Sequence, residues 1–283
     1  TVLIIPLFLS TTEQGYYYTF ASLIGLQILF ELGLWQIILQ FVGHEMGHLQ
    51  IDEKQVVKGD EARIDYLASF TQLLRKWYLC ISILFGLIAG VLGAYFLYCR
   101  AELPVSNWLG IWIVMIVSTS INLYYAPVLA FIEGCGQIGQ VARMRLFQST
   151  AGYCGLWLAL FGHMGLWAAC FVPLTAALVS TCWLRSAGVV FKSLQHRLVN
   201  PENALNWKRN LLPLQWRIGA SALSGYFIFY IMTPMVFANR GAAEAGQFGI
   251  AMAVFNALAN IGTSWVYAAT PQMAMHVSRK ERV

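Results

Sequence analysis

The sequence predicts an all-α, polytopic membrane helix bundle, and three observations carry that prediction. Hydrophobic residues make up 58% of the chain and charged residues only 11%, against about 25% charged in a soluble domain. Eight apolar segments run through the 283 residues. Most of them approach the roughly 20 residues a helix needs to cross the hydrocarbon core. Basic residues fall almost only in every second gap between segments. A soluble core could not hide eight such runs in a chain of this size. The apolar/polar alternation of a membrane β-barrel, in units of about 10 residues, is missing.

The segments follow in order. The first, 1–10, is too short to span; the chain begins with Thr1 and reads as a fragment that starts midway through a first helix. Segment 17–43 leads to a gap, 44–77, that holds Lys54, Lys58, Arg63, Arg75 and Lys76. Segments 78–98 and 107–132 flank a gap whose single basic residue is Arg100. Gap 133–146 holds Arg143 and Arg145, and segment 147–161 after it is the shortest of those expected to span. Segment 165–184 leads to gap 185–212, with Arg185, Lys192, Arg197, Lys208 and Arg209. Segments 213–237 and 246–270 are separated by a gap containing Arg240, and the tail carries Arg279, Lys280 and Arg282. Basic loops resist translocation and stay cytoplasmic, so the 44–77 gap is expected on the cytoplasmic side.

Composition also limits the partners. The net charge of +5 is spread over loops instead of one face, which points to anionic membrane lipids and not to nucleic acid. The six cysteines stand far apart with no CxxC pair; they read as small apolar packing residues, not as a zinc ribbon or redox pair. No basic n-region and small-residue cleavage site mark a signal peptide. A phosphate-binding loop, a nucleophile elbow and a dinucleotide fingerprint are missing too, so the sequence implies no cofactor.

Two stretches resemble each other. Pro6-Leu7-Phe8-Leu9 precedes Glu13-Gln14-Gly15-Tyr16-Tyr17 and a long apolar helix. Pro234-Met235-Val236-Phe237 precedes Glu244-Ala245-Gly246-Gln247-Phe248 and another. The offset is 231 residues at the Glu-x-Gly and 228 at the prolines. It spans an even number of helices, so both copies start on the same side, as in parallel repeats about an axis along the membrane normal. Repeated halves of this kind are a transporter signature. The expected organisation is two pseudo-repeated six-helix lobes: residues 1–185 form the first, 186–212 a cytoplasmic linker, and 213–283 the first two helices of a truncated second.

These residues carry a family resemblance. Phe30-Glu31-Leu32-Gly33-Leu34 and Glu13-Gln14-Gly15-Tyr16 resemble stretches of lipid-linked oligosaccharide (O-antigen-type) flippases. These are polysaccharide biosynthesis proteins of the multidrug/oligosaccharidyl-lipid/polysaccharide exporter superfamily. Phe131-Ile132-Glu133-Gly134-Cys135-Gly136-Gln137, followed by Arg143 and Arg145, is similar to the junction after that family's fourth helix. Leu214-Gln215-Trp216-Arg217, with the Pro234 and Ala245-Gly246-Gln247 blocks, is similar to its seventh and eighth helices. The resemblance covers nearly the whole chain, through short motifs in a shared order. It implies two lobes forming a V around a central cavity. It also implies movement of a polyprenyl-diphosphate-linked oligosaccharide across the bacterial inner membrane. A drug/cation antiporter of the same superfamily is the alternative, distinguished by an acidic instead of a basic cavity.

Several residues are candidates for chemistry. Ionisable groups inside spans are costly. Glu31 lies mid-span with Gln27 one turn before it; it either lines the cavity and couples a cation, or holds helices together by a hydrogen bond. Arg217 sits near the start of the seventh span. It either snorkels to the surface or offers a bidentate guanidinium to diphosphate. Arg143 and Arg145 flank the cytoplasmic mouth, as substrate contacts or lipid-surface charges. Asn256 and Asn260, one turn apart, read as interhelical contacts, and the Tyr16–Tyr18 run and most tryptophans as an interfacial belt.

One motif points elsewhere. His44-Glu45-Met46-Gly47-His48 is HExxH, whose two histidines share a helix face and whose glutamate serves zinc proteases as general base. A catalytic zinc needs a third ligand. Glu133 is the obvious substitute, because the Asp-Gly motif of intramembrane zinc proteases does not occur in this chain. The other reading has His44 and Glu45 capping or interfacial.

The charge bias predicts a labelling outcome. With single cysteines at Asp60 and Ala243 on a cysteine-free background, an impermeant maleimide on intact cells should react only at 243. Labelling at 60 instead would reverse the orientation.

Overall fold

The computed structural model describes residues 4–52, 56–100, 102–200, 205 and 212–278, with side chains at all of these except 213, 214 and 263–278. The fold is nearly all-α. In chain order it comprises α1 (Ile5–Phe8), α2 (Thr11–Ile24), α3 (Gln27–Glu31) and α4 (Leu34–Met46). A two-residue ribbon follows, β1 (Gln50–Ile51) paired antiparallel with β2 (Val57–Lys58). Then come α5 (Glu61–Cys99), α6 (Val105–Gly134), α7 (Ile138–Phe161), a 3-10 turn (Gly165–Cys170) and α8 (Phe171–Ala187). The chain ends with α9 (Val189–Gln195), α10 (Leu212–Phe229), α11 (Met232–Arg240) and α12 (Ala242–Ser278).

Five helices are long and apolar enough to cross a membrane: Glu61–Cys99, Val105–Gly134, Gly165–Ala187, Gln215–Arg240 and Ala242–Gly262. Thr11–Glu31 and Leu34–Met46 together form a sixth candidate, bent by 45°. On α5 the exposed side chains are themselves apolar, including Leu79, Ile83, Leu84, Leu87, Val91 and Leu92. Such a surface suits lipid and not water. Helix α7 is 24 residues long but falls outside the apolar set, because Arg143, Arg145 and Gln148 dilute its first half. The 44–77 gap is not a loop throughout: α5 begins at Glu61, capped by the Asp60 side chain accepting from the Ala62 amide at 3.1 Å. Its polar first turns were hidden from an apolar scan.

The helices stack through small residues. Along α5, added Cβ atoms at Gly86, Gly90 and Gly93 would meet Ser120, Ile116 and Trp112 of α6 at 3.0, 3.4 and 2.3 Å. Trp112 Nε1 also donates to the Gly90 carbonyl at 3.0 Å. Such close approach is how apolar helices associate when lipid is as apolar as they are. The tightest approach joins α2 to α12. A Cβ on Gly15 would lie 1.9 Å from the Ala242 carbonyl oxygen, and one on Gly246 2.9 Å from both the Gly15 nitrogen and the Thr11 carbonyl oxygen. One turn further, Gly249 packs on Tyr18.

Local chemistry explains why α2 starts where it does. Ser10 and Glu13 form a capping box, with Ser10 Oγ accepting from the Glu13 amide at 3.3 Å and Glu13 accepting from the Ser10 amide at 2.9 Å. The carboxylate of the Glu-x-Gly motif thus fixes a helix start, and its glycine fixes a packing distance. At the same end, Tyr16 is fully buried and its hydroxyl accepts from the Glu102 and Leu103 amides at 3.0 and 3.2 Å. Glu102 in turn accepts from the Ala242 amide at 2.7 Å. Tyr16 therefore braces the bundle and does not belong to an interfacial belt, and the same holds for buried Trp108.

At the opposite, basic end the stretch after α8 docks on α5. Arg197 pairs with Glu61 and donates to Asp65 at 2.8 Å, and the Gln72 side chain donates to the Arg197 carbonyl at 2.8 Å. The Asp65 hydrogen bond raises the Arg197 pKa above its usual value; burial opposes it, and Glu61 adds to the rise.

Gly15→Ala should overpack the α2–α12 contact by about 1–3 kcal/mol. Gly139→Ala, where an added Cβ meets nothing within 4 Å, removes only backbone freedom from α7. Thermal unfolding in detergent should fall by roughly 3–10 °C for the first and hold or rise for the second. Equal midpoints would contradict the contact.

Candidate functional site

The span that carries Gln27 and Glu31 is broken. Gly25 and Leu26 interrupt it first, and Leu32 and Gly33 then take left-handed φ values of 47° and 69°. Leu32 is a strained choice there, while Gly33 supplies the conformation readily. The break also makes a contact, since a Cβ on Gly33 would lie 2.0 Å from Ile218 Cγ2 of α10, and Leu32 packs against Gly219. Discontinuous helices of this kind surround binding sites in many transporters.

Glu31 closes α3 beside the break, within the electrostatic reach of Arg145. Arg145 pairs with Glu133 at 3.1 Å and lies 5.7 Å from the centroid of the Trp35 ring. Arg143, two residues earlier and so on another face of α7, lines a separate outward groove with Phe147 and Trp183. The two arginines therefore have different surroundings. Arg217 lies exposed near the start of α10. Its neighbours in sequence, Ile218 and Gly219, hold the contact to the Leu32–Gly33 break.

Two cavities meet inside the bundle. One, of about 440 Å³, is lined by Gln27, Thr119, Asn122 and Tyr17 within the first part of the chain. The other, of about 370 Å³, lies between α2, α7 and the α10–α12 region and is lined by Tyr17, Tyr18, Tyr153, Tyr230, Asn256 and Asn260. Tyr17 and Tyr153 line both. The Tyr18 hydroxyl is buried without a hydrogen-bond partner among the described residues. Asn256 and Asn260 line this cavity between helices, and Tyr17 and Tyr18 leave the expected belt to form its wall. The only hint in the sequence was that the tyrosines directly follow the Gly15 of a repeated motif. Aromatic rings beside amides and hydroxyls present the stacking faces and hydrogen bonds that a neutral polar ligand takes. Neither cavity is lined by a carboxylate or a cation.

The HExxH segment is arranged otherwise than a zinc site requires. Helix α4 ends at Met46, so His48 lies beyond the helix. The His44 and His48 rings are 5.9 Å apart. Glu45 is buried and pairs with Arg63 at 3.2 Å, while His44 Nδ1 lies 3.2 Å from its other oxygen. Glu133, the expected third ligand, is engaged by Arg145. Among the described residues, no three His, Cys, Asp or Glu side chains are grouped to hold a metal ion. Burial pushes the Cys135 thiol up to about 12, so it offers no thiolate near neutral pH.

No protein-family model, curated protein or solved structure matches the chain.

Glu45 as a structural ion-pair partner predicts one pattern of variants and a zinc base predicts another. Glu45→Gln should lower the unfolding midpoint by a few degrees, because it strands Arg63 beside a buried site. His48→Ala should leave the midpoint and the metal content unchanged, at well under one zinc per chain. Stoichiometric zinc that is lost in His48→Ala would restore the protease reading.

Proposed function

We propose that the chain is a lipid-linked oligosaccharide flippase of the multidrug/oligosaccharidyl-lipid/polysaccharide exporter superfamily. It moves a polyprenyl-diphosphate-linked glycan across the bacterial inner membrane by alternating access. The observation that carries the proposal is a reciprocity in the α2–α12 contact. Positions 231 apart are counterparts in the repeat, so Thr11 matches Ala242, Gly15 matches Gly246 and Tyr18 matches Gly249. Gly15 touches Ala242, and its counterpart Gly246 touches Thr11. Gly15 and Gly246 touch each other, as do Tyr18 and Gly249. Each residue meets the counterpart of what its own counterpart meets, which is the rule for a two-fold interface. That supports two pseudo-symmetric lobes about an axis along the membrane normal.

The remaining features fit this reading. By the positive-inside rule the basic end is cytoplasmic, which sets the Gly15–Gly246 seam at the outer face. The Tyr/Asn cavity lies just inside the seam and suits a glycan. Arg217 is the candidate for the diphosphate, with Arg143 and Arg145 as the alternatives. Glu31, at the helix break and beside Arg145, is the candidate for cation coupling.

Complementation of a flippase-deficient bacterium with the full-length chain tests the assignment of Arg217. Arg217→Lys should retain part of the transport and Arg217→Gln lose most of it, at equal expression, because a bidentate guanidinium contact tolerates neither change fully. Full activity in Arg217→Gln would remove this residue from the diphosphate site.

A further inference from the structure

The cations of the basic end fall into two groups. Lys58, Arg63, Arg145 and Arg197 each have a carboxylate partner, in Asp52, Glu45, Glu133 and the Glu61–Asp65 pair respectively. Of those that form no ion pair among the described residues, Arg75, Arg185 and Lys192 stand together. All three line one cavity of about 120 Å³ between α5, α6, α8 and α9. Lys192 reaches only the Leu184 and Arg185 carbonyls at the end of α8, at 3.4 and 3.3 Å, and Arg75 only the Gln195 side chain at 3.4 Å. No carboxylate lines the space. Three exposed like charges around one small cavity favour an anion there.

The cavity does not end there. Tyr124, Tyr125 and Thr181 also line an adjoining groove of about 570 Å³ along α5 and α6. Its wall is apolar: Ile83, Leu87, Ile116, Val117 and Ile121. Ile83, Leu87 and Val117 are more than half exposed, at 55%, 61% and 52%, so the groove opens outward from the bundle. A compact cationic pocket that runs into an apolar groove is shaped for one amphiphile. A free phosphate would fill the pocket and leave the groove empty.

We propose that this is a binding site for an anionic glycerophospholipid of the leaflet that meets the basic end. Its phosphate lies among Arg75, Arg185 and Lys192, where two guanidinium forks and an ammonium offer charge-assisted hydrogen bonds. One acyl chain lies along the α5–α6 groove. Basic pockets between membrane helices hold such head groups for this reason. The site belongs to the first part of the chain alone and is separate from the Tyr/Asn cavity, so it stands whether or not the transport proposal does.

Native mass spectrometry of the full chain in detergent tests it, with phosphatidylglycerol, phosphatidylcholine, a polyprenyl phosphate and inorganic phosphate as probes. One phosphatidylglycerol should be retained per chain at concentrations where phosphatidylcholine is lost. Replacing Arg75, Arg185 and Lys192 together by Gln should weaken that retention on the order of a hundredfold. Arg185→Gln alone, which removes no hydrogen bond among the described residues, should weaken it about fivefold and decides the matter if the triple variant does not fold. Removing charge at Arg100 and Arg240, in the gaps of the opposite end, should change nothing. Equal retention of both phospholipids, or an unchanged Arg185→Gln, would overturn the proposal. So would a preference for the polyprenyl phosphate, which would assign the site to a carrier lipid, or displacement by inorganic phosphate at equal concentration, which would reduce it to a bare anion site.

Discussion

The structure depends on one close approach, the meeting of the α2 and α12 backbones at Gly15 and Gly246. In water the hydrophobic effect could hold two such helices together with large side chains between them. Between apolar helices in lipid that force is missing, and packing distance decides association. Glycine at both positions lets carbonyl and amide backbone atoms come within a range that a single Cβ would forbid. The same contact sets the Ala242 amide against Glu102, and Glu102 against Tyr16. From it follow the wall of the Tyr/Asn cavity and the placing of Tyr18 against Gly249. More than two hundred residues of chain between the two glycines are closed by a contact whose nearest atoms are backbone.

Charge is handled differently at the two ends of the bundle. At the end of the Gly15–Gly246 contact, carboxylates serve backbone amides: Glu13 caps α2 and Glu102 receives the start of α12. At the basic end most carboxylates answer a cation, and the buried ones, Glu45, Asp65 and Glu133, are all so engaged. This pairing draws Glu45 and Glu133 away from the metal chemistry that their positions in the sequence suggested.

Much of the fold was legible in the sequence. Runs of apolar residues located the long helices, because crossing a bilayer imposes a length. What the runs concealed were features set by tertiary contact: the polar turns of α5 from Glu61 to Trp77, fixed by the Asp60 cap and the Arg197 docking, and the break at Leu32–Gly33, which a hydropathy scan reads as continuous. The candidate site was legible only in part. Gln27 lines a cavity. The separation of Arg143 from Arg145 follows from helical periodicity alone and could have been foreseen. The convergence of Tyr17, Tyr18 and Tyr153 with Asn256 and Asn260 could not, since it joins residues from three distant helices and their types are equally at home at a membrane interface.

On the proposed flippase reading, α2 and α12 form a two-fold seam that opens during transport. Electron-spin distance measurement between labels at Thr11 and Glu244, in reconstituted vesicles, reads that seam directly. A single short, narrow distribution is predicted at rest, with a longer population appearing when lipid-linked glycan is supplied. A long or broad distribution at rest would contradict the seam, and a distribution unmoved while the same vesicles flip glycan would contradict its opening.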